Sequence, residues 1–420
     1  MQDLPVLGQV ALGYSPMIDR ERNVIATRLT IFPERPDAAP DPAALLAALD
    51  AVWPPTEGST DNALSARPLN PSSARGAAKS QPLVSLNVAG EALLQAVMDI
   101  GPGRHRMLEV PAFMACDPAQ LPLLKRLHAQ GAVMLIKGRP LAPLTADVLS
   151  CFAHSIVEFA DDRRTNAAPP PGVRVVSSVY SGARTVEEAA TCFERGAVAL
   201  LGWQFDDPVP AGGGRHAVAP DLKVVFDLIN GVDQEMPVAQ LEAILKRDPA
   251  LGFKLMRYLN SPAFGMSVEI NSFGHAVMLL GYQRLKRWLV LLLSSAAKGP
   301  GAKPLMHASV RRGLFLEELV RSQRDSELSG EMFVCGVFSL LDKLLRQPFE
   351  QLLDSVPVPD RVQQALRGDG GPYLAYLDLV RAVENELVFD IRECAERLFL
   401  RPQDVNAALL RALHTARQLD

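Results

Sequence analysis

The chain has 420 residues, 48% hydrophobic and 21% charged, with 43 basic against 47 acidic side chains for a formal charge of −4. That length implies about two to three domains, and the charge balance lacks the basic stripe of a dedicated nucleic-acid binder, so no nucleic-acid partner is expected. The five cysteines (Cys116, Cys151, Cys192, Cys335, Cys394) are scattered and form no C-x-x-C pair, which reads as buried thiols in a reducing compartment. Met1–Ser15 shows no basic start followed by an apolar run. The longest apolar stretch, Trp288–Ala297, is too short to span a bilayer. These features predict a cytoplasmic protein with no membrane partner.

From Val6 to about Asp207, short β-rich runs alternate with helical or loop stretches. The runs are Leu7–Tyr14, Val24–Phe32, Leu83–Val88, Arg106–Val110, Ala132–Lys137, Ser155–Phe159, Val173–Val179 and Ala197–Trp203. Asp19–Asn23 is too short for a crossover helix, so the first two runs form an antiparallel hairpin. Pro118–Gln130 and Val186–Arg195 are amphipathic, with Leu121, Leu124 and Leu127 at helical spacing and Gly131 where a helix-ending glycine belongs. Strands alternating with helices predict a (β/α)8-type barrel with an irregular start over residues 1–207. Residues 54–82, rich in Pro, Ser, Ala and Gly, read as a long loop, either functional or under relaxed constraint.

Pro208, Pro210 and Gly212–Gly214 mark residues 208–219 as a linker. Beyond it strand signals almost vanish, and residues 220–420 are predicted to form an all-α domain. Asp248-Pro249 supplies an N-cap and a first-turn proline, and Ser261-Pro262 ends a helix. The fold class is therefore α/β plus all-α.

Two stretches of the helical half are distinctive. Asp248–Gly265 (Asp-Pro-Ala-Leu-Gly-Phe-Lys-Leu-Met-Arg-Tyr-Leu-Asn-Ser-Pro-Ala-Phe-Gly) and Ser272–Gly281, followed by Leu285–Leu289, closely resemble the HDOD domain, with Phe333–Leu345 as a third matching stretch. The resemblance runs from Pro220 to about Glu386. HDOD domains are helical relatives of the HD phosphohydrolases, whose chemistry needs an adjacent His-Asp pair and further ligands holding metal that activates water. This chain has no His-Asp dipeptide. Leu340-Leu-Asp342 stands where HD enzymes read Leu-His-Asp, so Asp342 remains as a vestige and Leu341 replaces the histidine. Arg311–Leu316 offers no histidine, and Gly371-Pro-Tyr373 shares letters but not order with the Gly-Tyr-Pro signature. The resemblance implies a packed helical fold without a hydrolytic centre. His275, alone at the head of an apolar face, reads as a core or capping hydrogen-bonder, Asn260 as part of a helix stop, and Trp288 with Leu289–Leu293 as core.

The first half resembles the EAL domain, a barrel that hydrolyses cyclic di-GMP. The resemblance rests on the opening hairpin, on Leu83–Val88 and Met107–Val110, and on Leu201-Gly-Trp-Gln-Phe205 followed by Pro208. An EAL phosphodiesterase needs a ring of carboxylates for two cations and a lysine. Matched by position, Arg28 stands for the defining glutamate, Ile136 and Lys137 for the paired aspartates, and Leu201 for the closing glutamine. The lysine and its following aspartate fall near Val157 and Phe159 or one residue to either side, and the later glutamate falls within Ser177–Val179. Only Asn87 and Glu109 survive. Arg28 and Lys137 would repel a cation, so the resemblance implies a degenerate barrel with no metal and no cofactor. Asn87 and Glu109 either bond neighbouring strand ends or bind a ligand.

The expected role is non-catalytic: a scaffold or adaptor in bacterial signal transduction, with unidentified signalling proteins as partners and a homodimer compatible with it. The competing readings are a metal-free sensor that takes cyclic di-GMP or another phosphate-bearing ligand in the basic barrel mouth, and a residual hydrolase. Arg284, Lys286 and Arg287, with Arg311 and Arg312, form a basic cluster that is either a surface for an acidic partner or a solvated helix face.

Overall fold

The computed structural model describes the chain apart from residues 1–3, 36–38, 55–82, 104, 141–142, 163–175, 210–219, 248–276, 279–280, 284, 288, 291–300, 354–357 and 418–420. The long loop expected at 54–82, the linker and both HDOD-like signature stretches fall largely outside the described residues, as do Asn260, His275, Arg284 and Trp288.

Eight strands close a barrel in chain order: β1 (Val10–Ile18), β2 (Val24–Pro33), β3 (Leu83–Val88), β4 (Arg106–Pro111), β5 (Val133–Lys137), β6 (His154–Glu158), β7 (Ser177–Ser181) and β8 (Ala199–Leu201). β2 to β8 pair in parallel, while β1 runs antiparallel to both β2 and β8. The expected barrel and its opening hairpin are present; of the expected run Val173–Val179, residues 173–175 lie outside the described residues and the strand is Ser177–Ser181. Asp19 closes the hairpin, its carboxylate accepting from Asn23 N at 2.7 Å and Asn23 Nδ2 at 3.1 Å. β1 begins at Val10 rather than Leu7 because Pro5 initiates a 3-10 turn over Pro5–Gln9. Amphipathic helices lie between strands; the one at Val186–Glu194 opens with a capping box in which Thr185 and Glu188 bond each other's backbone amides.

Side chains alternate across each strand, so every second residue enters the barrel. Met17, Ala26, Met107, Leu135, Ile156, Val179, Ala199 and Leu201 form one buried interior cluster. This layer excludes water from the barrel's middle and sets the floor of whatever lies above it.

Contacts divide the chain into two compact units. The first is Met1–Asp207 together with Arg381–His414; the second is Pro208–Val380 with Thr415–Asp420. Where the sequence places one helical domain over 220–420, the segment 381–414 thus packs with the barrel. The reason lies at β1. It pairs with β8 only through Met17–Leu201 and Ile18–Leu200, yet all nine of its residues are buried. The C-terminal segment covers the rest of that edge. Asn406 Oδ1 accepts from Leu12 N at 3.1 Å, and Asn406 Nδ2 donates to Leu7 O and Val10 O, each at 2.7 Å. Two backbone groups of the sheet edge, and one of the 3-10 turn before it, are thereby satisfied by one side chain. Gly13 makes the approach feasible: a Cβ there would sit 3.1 Å from Val383 O and from Glu386 Cγ.

The second unit is helical. Ala302–Val320 and Ser326–Phe338 pack so closely that a Cβ on Gly336 would meet backbone atoms of Arg312 and Gly313 at 2.5 Å. Buried Phe315, Phe333, Phe338 and Leu341 fill the surrounding core.

Candidate functional site: the barrel mouth

Because β2 to β8 are parallel, their C-terminal ends share one end of the barrel, where such folds place their sites. Two residues beyond the interior apolar layer, the inward positions become polar. Arg28 follows Ala26, Glu109 follows Met107, Lys137 follows Leu135, Glu158 follows Ile156 and Ser181 follows Val179. One step along each strand changes a dry core into a charged mouth.

Arg28 and Glu109 are its centre. Arg28 Nε donates to Glu109 Oε1 at 2.9 Å and Nη2 donates to Oε2 at 2.7 Å, a bidentate pair with a fully buried carboxylate. Ser85 Oγ also donates to Glu109 Oε1, at 3.3 Å. The remaining edge of the guanidinium turns outward, and Nη1 meets Glu386 Oε2 at 3.3 Å. Burial works against the charge on Arg28, but Glu109 and Glu386 more than compensate and hold its pKa above the ordinary value. Beside it, Lys137 Nζ donates to Asn87 Oδ1 at 2.6 Å, and Asn87 Nδ2 donates to Thr30 Oγ1 at 3.1 Å. Burial lowers the Lys137 pKa, and the charge on Arg28 pushes the same way.

The C-terminal segment supplies the outer rim. Glu386 Oε1 accepts from Ser15 Oγ at 2.9 Å, Glu384 Oε1 accepts from Tyr14 Oη at 3.2 Å, and Asn385 Oδ1 accepts from Arg184 Nη1 at 3.2 Å. Glu386 takes a left-handed backbone conformation, φ 57°, as the stop of the helix Leu374–Glu384, with Leu387 N donating back to Ala382 O at 3.0 Å. A cavity of about 330 Å³ remains between the segment and the strands, walled by Arg28, Lys137, Glu158, Arg184, Leu201 and Trp203 among others.

This geometry sorts the expected residues. Asn87, Glu109, Arg28 and Lys137 come together, and Leu201 is part of the floor. Ile136 does not join them; it is buried on the opposite face of β5, between two inward residues. Val157 and Phe159, near which the lysine and its aspartate were matched, do not join the mouth. Those two pack against Tyr180 and Leu200 outside the barrel, and Glu158 between them enters the mouth, where Ser181 Oγ donates to its Oε2 at 2.6 Å.

The divalent-cation pair that the EAL resemblance implies does not fit these residues. Both oxygens of Glu109 are held by Arg28, and the carbonyl oxygen of Asn87 is held by an ammonium group. An arriving cation would meet two resident ones. Among the described residues no cluster of three or more His, Cys, Asp or Glu is disposed to hold a metal.

In the helical unit, Asp342 lies in the first turn of Leu341–Leu345, next to fully buried Leu341. Burial raises its carboxyl pKa, opposed by Lys343 and the nearby Arg312. Of the basic cluster, Arg284 lies outside the described residues and the other four side chains have partners within the protein. Arg311 and Arg312 are buried, donating to His307 O at 3.2 Å and Ser339 Oγ at 2.9 Å. Lys286 pairs with Asp233 and Arg287 with Glu317, each at 2.5 Å, and Arg287 also covers the Phe333 ring. Arg311 and Arg312 are spent on internal packing, because helices that approach this closely bury long basic stems, whereas Arg287 remains partly exposed.

Residues 220–350 match the HDOD domain, so the helical half of the chain carries one. Two curated proteins are similar over comparable stretches. The uncharacterized protein YuxH of Bacillus subtilis is 28% identical over 218 residues, 51% of this chain and 53% of its own length. The cyclic di-GMP phosphodiesterase CdgJ of Vibrio cholerae is 30% identical over 204 residues, 45% of this chain and 47% of its own. The chain thus spans about half the length of the curated relatives it matches. Among solved structures, the EAL domain of Mycobacterium smegmatis DcpA aligns at 16% identity over 46% of this chain and 90% of that one, with a TM-score of 0.29. No helix among the described residues is long and apolar enough to cross a membrane.

Proposed function

We propose that this chain is a non-catalytic protein of cyclic di-GMP signalling, acting in the cytoplasm as a scaffold or adaptor for other signalling proteins. The similarity to CdgJ supports the signalling context. The single observation that carries the non-catalytic reading is the Arg28 guanidinium seated bidentate on Glu109 with Glu386 on its outer edge. A centre built for hydrolysis needs open oxygen donors for metal and water, whereas here the donors neutralise the protein's own cations. The test is a turnover assay on the full chain with cyclic di-GMP and magnesium or manganese. The reading expects no product above the uncatalysed rate. Metal-dependent turnover that Glu109→Gln abolishes would overturn it and place the chain with CdgJ in activity.

A second reading rests on the cavity, where Arg28, Lys137 and Arg184 share the wall with Glu158, Glu384 and Glu386. It holds that the mouth senses cyclic di-GMP or another phosphate-bearing ligand without metal. Calorimetry with and without magnesium distinguishes the two: a dissociation constant below about 10 μM in the absence of metal supports the sensor.

A further inference from the structure

The barrel mouth already holds an anionic guest. Its own strands and loops contribute Arg28, Lys137 and Arg184 to the cavity wall against Glu158, while Glu384 and Glu386 arrive on the C-terminal segment. Glu109, beneath Arg28, occupies the Nε and Nη2 edge and leaves Nη1 pointing outward. Glu386 fills that vacancy, and the two neighbours of Asn385 engage adjacent residues of β1, Glu384 at Tyr14 and Glu386 at Ser15. Asn385 between them accepts from Arg184. Three consecutive residues therefore each meet a separate donor of the barrel, as a short peptide does in a recognition groove. Glu384 is the last residue of the helix Leu374–Glu384 and Glu386 its left-handed stop, with Glu386 N donating to Val383 O and Leu387 N to Ala382 O, and Gly13 leaves room for the segment to lie against β1.

We propose that the mouth is a recognition site for acidic peptide segments of the Glu-x-Glu type, and that Glu384–Glu386 is its resident, tethered occupant. The inference deepens the adaptor reading on which it rests, by naming where a partner engages and with what chemistry. A partner presenting two carboxylates one residue apart competes with the resident for Arg28, Tyr14 and Ser15. The tether gives the resident an effective concentration on the order of millimolar, so the site discriminates against weak or singly charged competitors. Anchoring is not confined to these three residues. Asn406 binds the opposite end of β1, so the segment can release its acidic turn while staying attached to the barrel.

The probe is a fluorescein-labelled synthetic copy of residues 381–389, added to the full chain and followed by anisotropy. The wild-type chain binds it only weakly, because the site is filled. Glu384→Gln/Glu386→Gln in the full chain raises affinity at least about tenfold, and adding Arg28→Gln removes the gain. A probe with both glutamates replaced by glutamine fails to bind. Equal affinity for wild type and the folded double variant, or equal binding of the glutamine probe, overturns the proposal. If the double variant does not fold, hydrogen exchange of the wild-type chain decides. Excess acidic peptide must speed exchange at the amides of 383–387, and unchanged exchange refutes the idea. The turnover assay reads a different quantity, so metal-dependent hydrolysis would fell the adaptor reading without altering either binding outcome.

Discussion

Arg28→Met is the sharpest probe of the barrel mouth. It keeps the aliphatic stem and removes the guanidinium, leaving Glu109 as a carboxylate with no exposed side-chain surface and only Ser85 Oγ at 3.3 Å as a donor. Two charge-assisted hydrogen bonds, at 2.9 and 2.7 Å, disappear together. Removing one partner of a buried pair typically costs about 3–5 kcal/mol, because the other charge stays buried without compensation. The contact to Glu386 at 3.3 Å is partly exposed and adds at most about 1 kcal/mol. For a unit of this size, a loss of 3–5 kcal/mol lowers Tm by roughly 6–20 °C. The assay is thermal and urea unfolding of wild type, Arg28→Met, Glu109→Met and the double variant, combined as a thermodynamic cycle. The double variant should recover most of the loss, because two apolar side chains of similar volume replace an ion pair at little net cost. A single-variant loss under about 1 kcal/mol, or a double variant as unstable as the two losses added, refutes the claim that this pair is buried and mutually neutralising.

Asn406→Ala removes the partner of Leu12 N, Leu7 O and Val10 O; we expect a loss of about 2–4 kcal/mol and faster hydrogen exchange at Leu12, and an unchanged melt would contradict the edge-capping role. His154, buried on β6 with Nδ1 2.9 Å from Ser177 Oγ, has its pKa lowered to about 4 by burial. The unfolded chain, at about 6.5, therefore binds the extra proton first. This contribution to stability is whole above pH 6.5 and is lost as pH falls toward 4, with a slope of at most about 1.4 kcal/mol per pH unit. His154→Gln should flatten the stability profile across that window, and an unaltered profile would assign the acid sensitivity elsewhere.

The barrel was legible because its signals are local. Short β-rich runs place the strands within a few residues, and Asp19–Asn23 is too short for anything but a hairpin. The strand ends shifted where single residues decide, at Pro5 before β1 and Gly202 after β8. The mouth was half legible. Arg28, Glu109, Asn87 and Lys137 were found by matching strand ends, but Glu158 was not singled out, because the match there is open to a one-residue slip, and such a slip in a strand exchanges inward for outward. The inward layer itself gives the corrective: Ile156 and Glu158 share a face as Leu135 and Lys137 do. Glu384, Glu386 and Asn406 were not legible as partners of the barrel. Their contacts span some 358 to 399 residues of sequence, and an amphipathic helix shows an apolar face without saying what covers it. One signal was available. Asn406 interrupts the apolar stripe of Val405, Leu409, Leu410 and Leu413, and a polar side chain buried there requires a hydrogen-bonding partner.

That the first unit is assembled from Met1–Asp207 and Arg381–His414 has a consequence for how it comes into being. A ribosome that has finished β8 has still to synthesise the whole intervening stretch before Asn406 emerges. At about 5–20 residues per second that delay lasts on the order of 10–40 s. Throughout it the nascent sheet presents the bare backbone of β1, a template for unwanted strand pairing. A fragment ending at residue 207 would keep that open edge permanently, and is expected to aggregate more readily than the full chain.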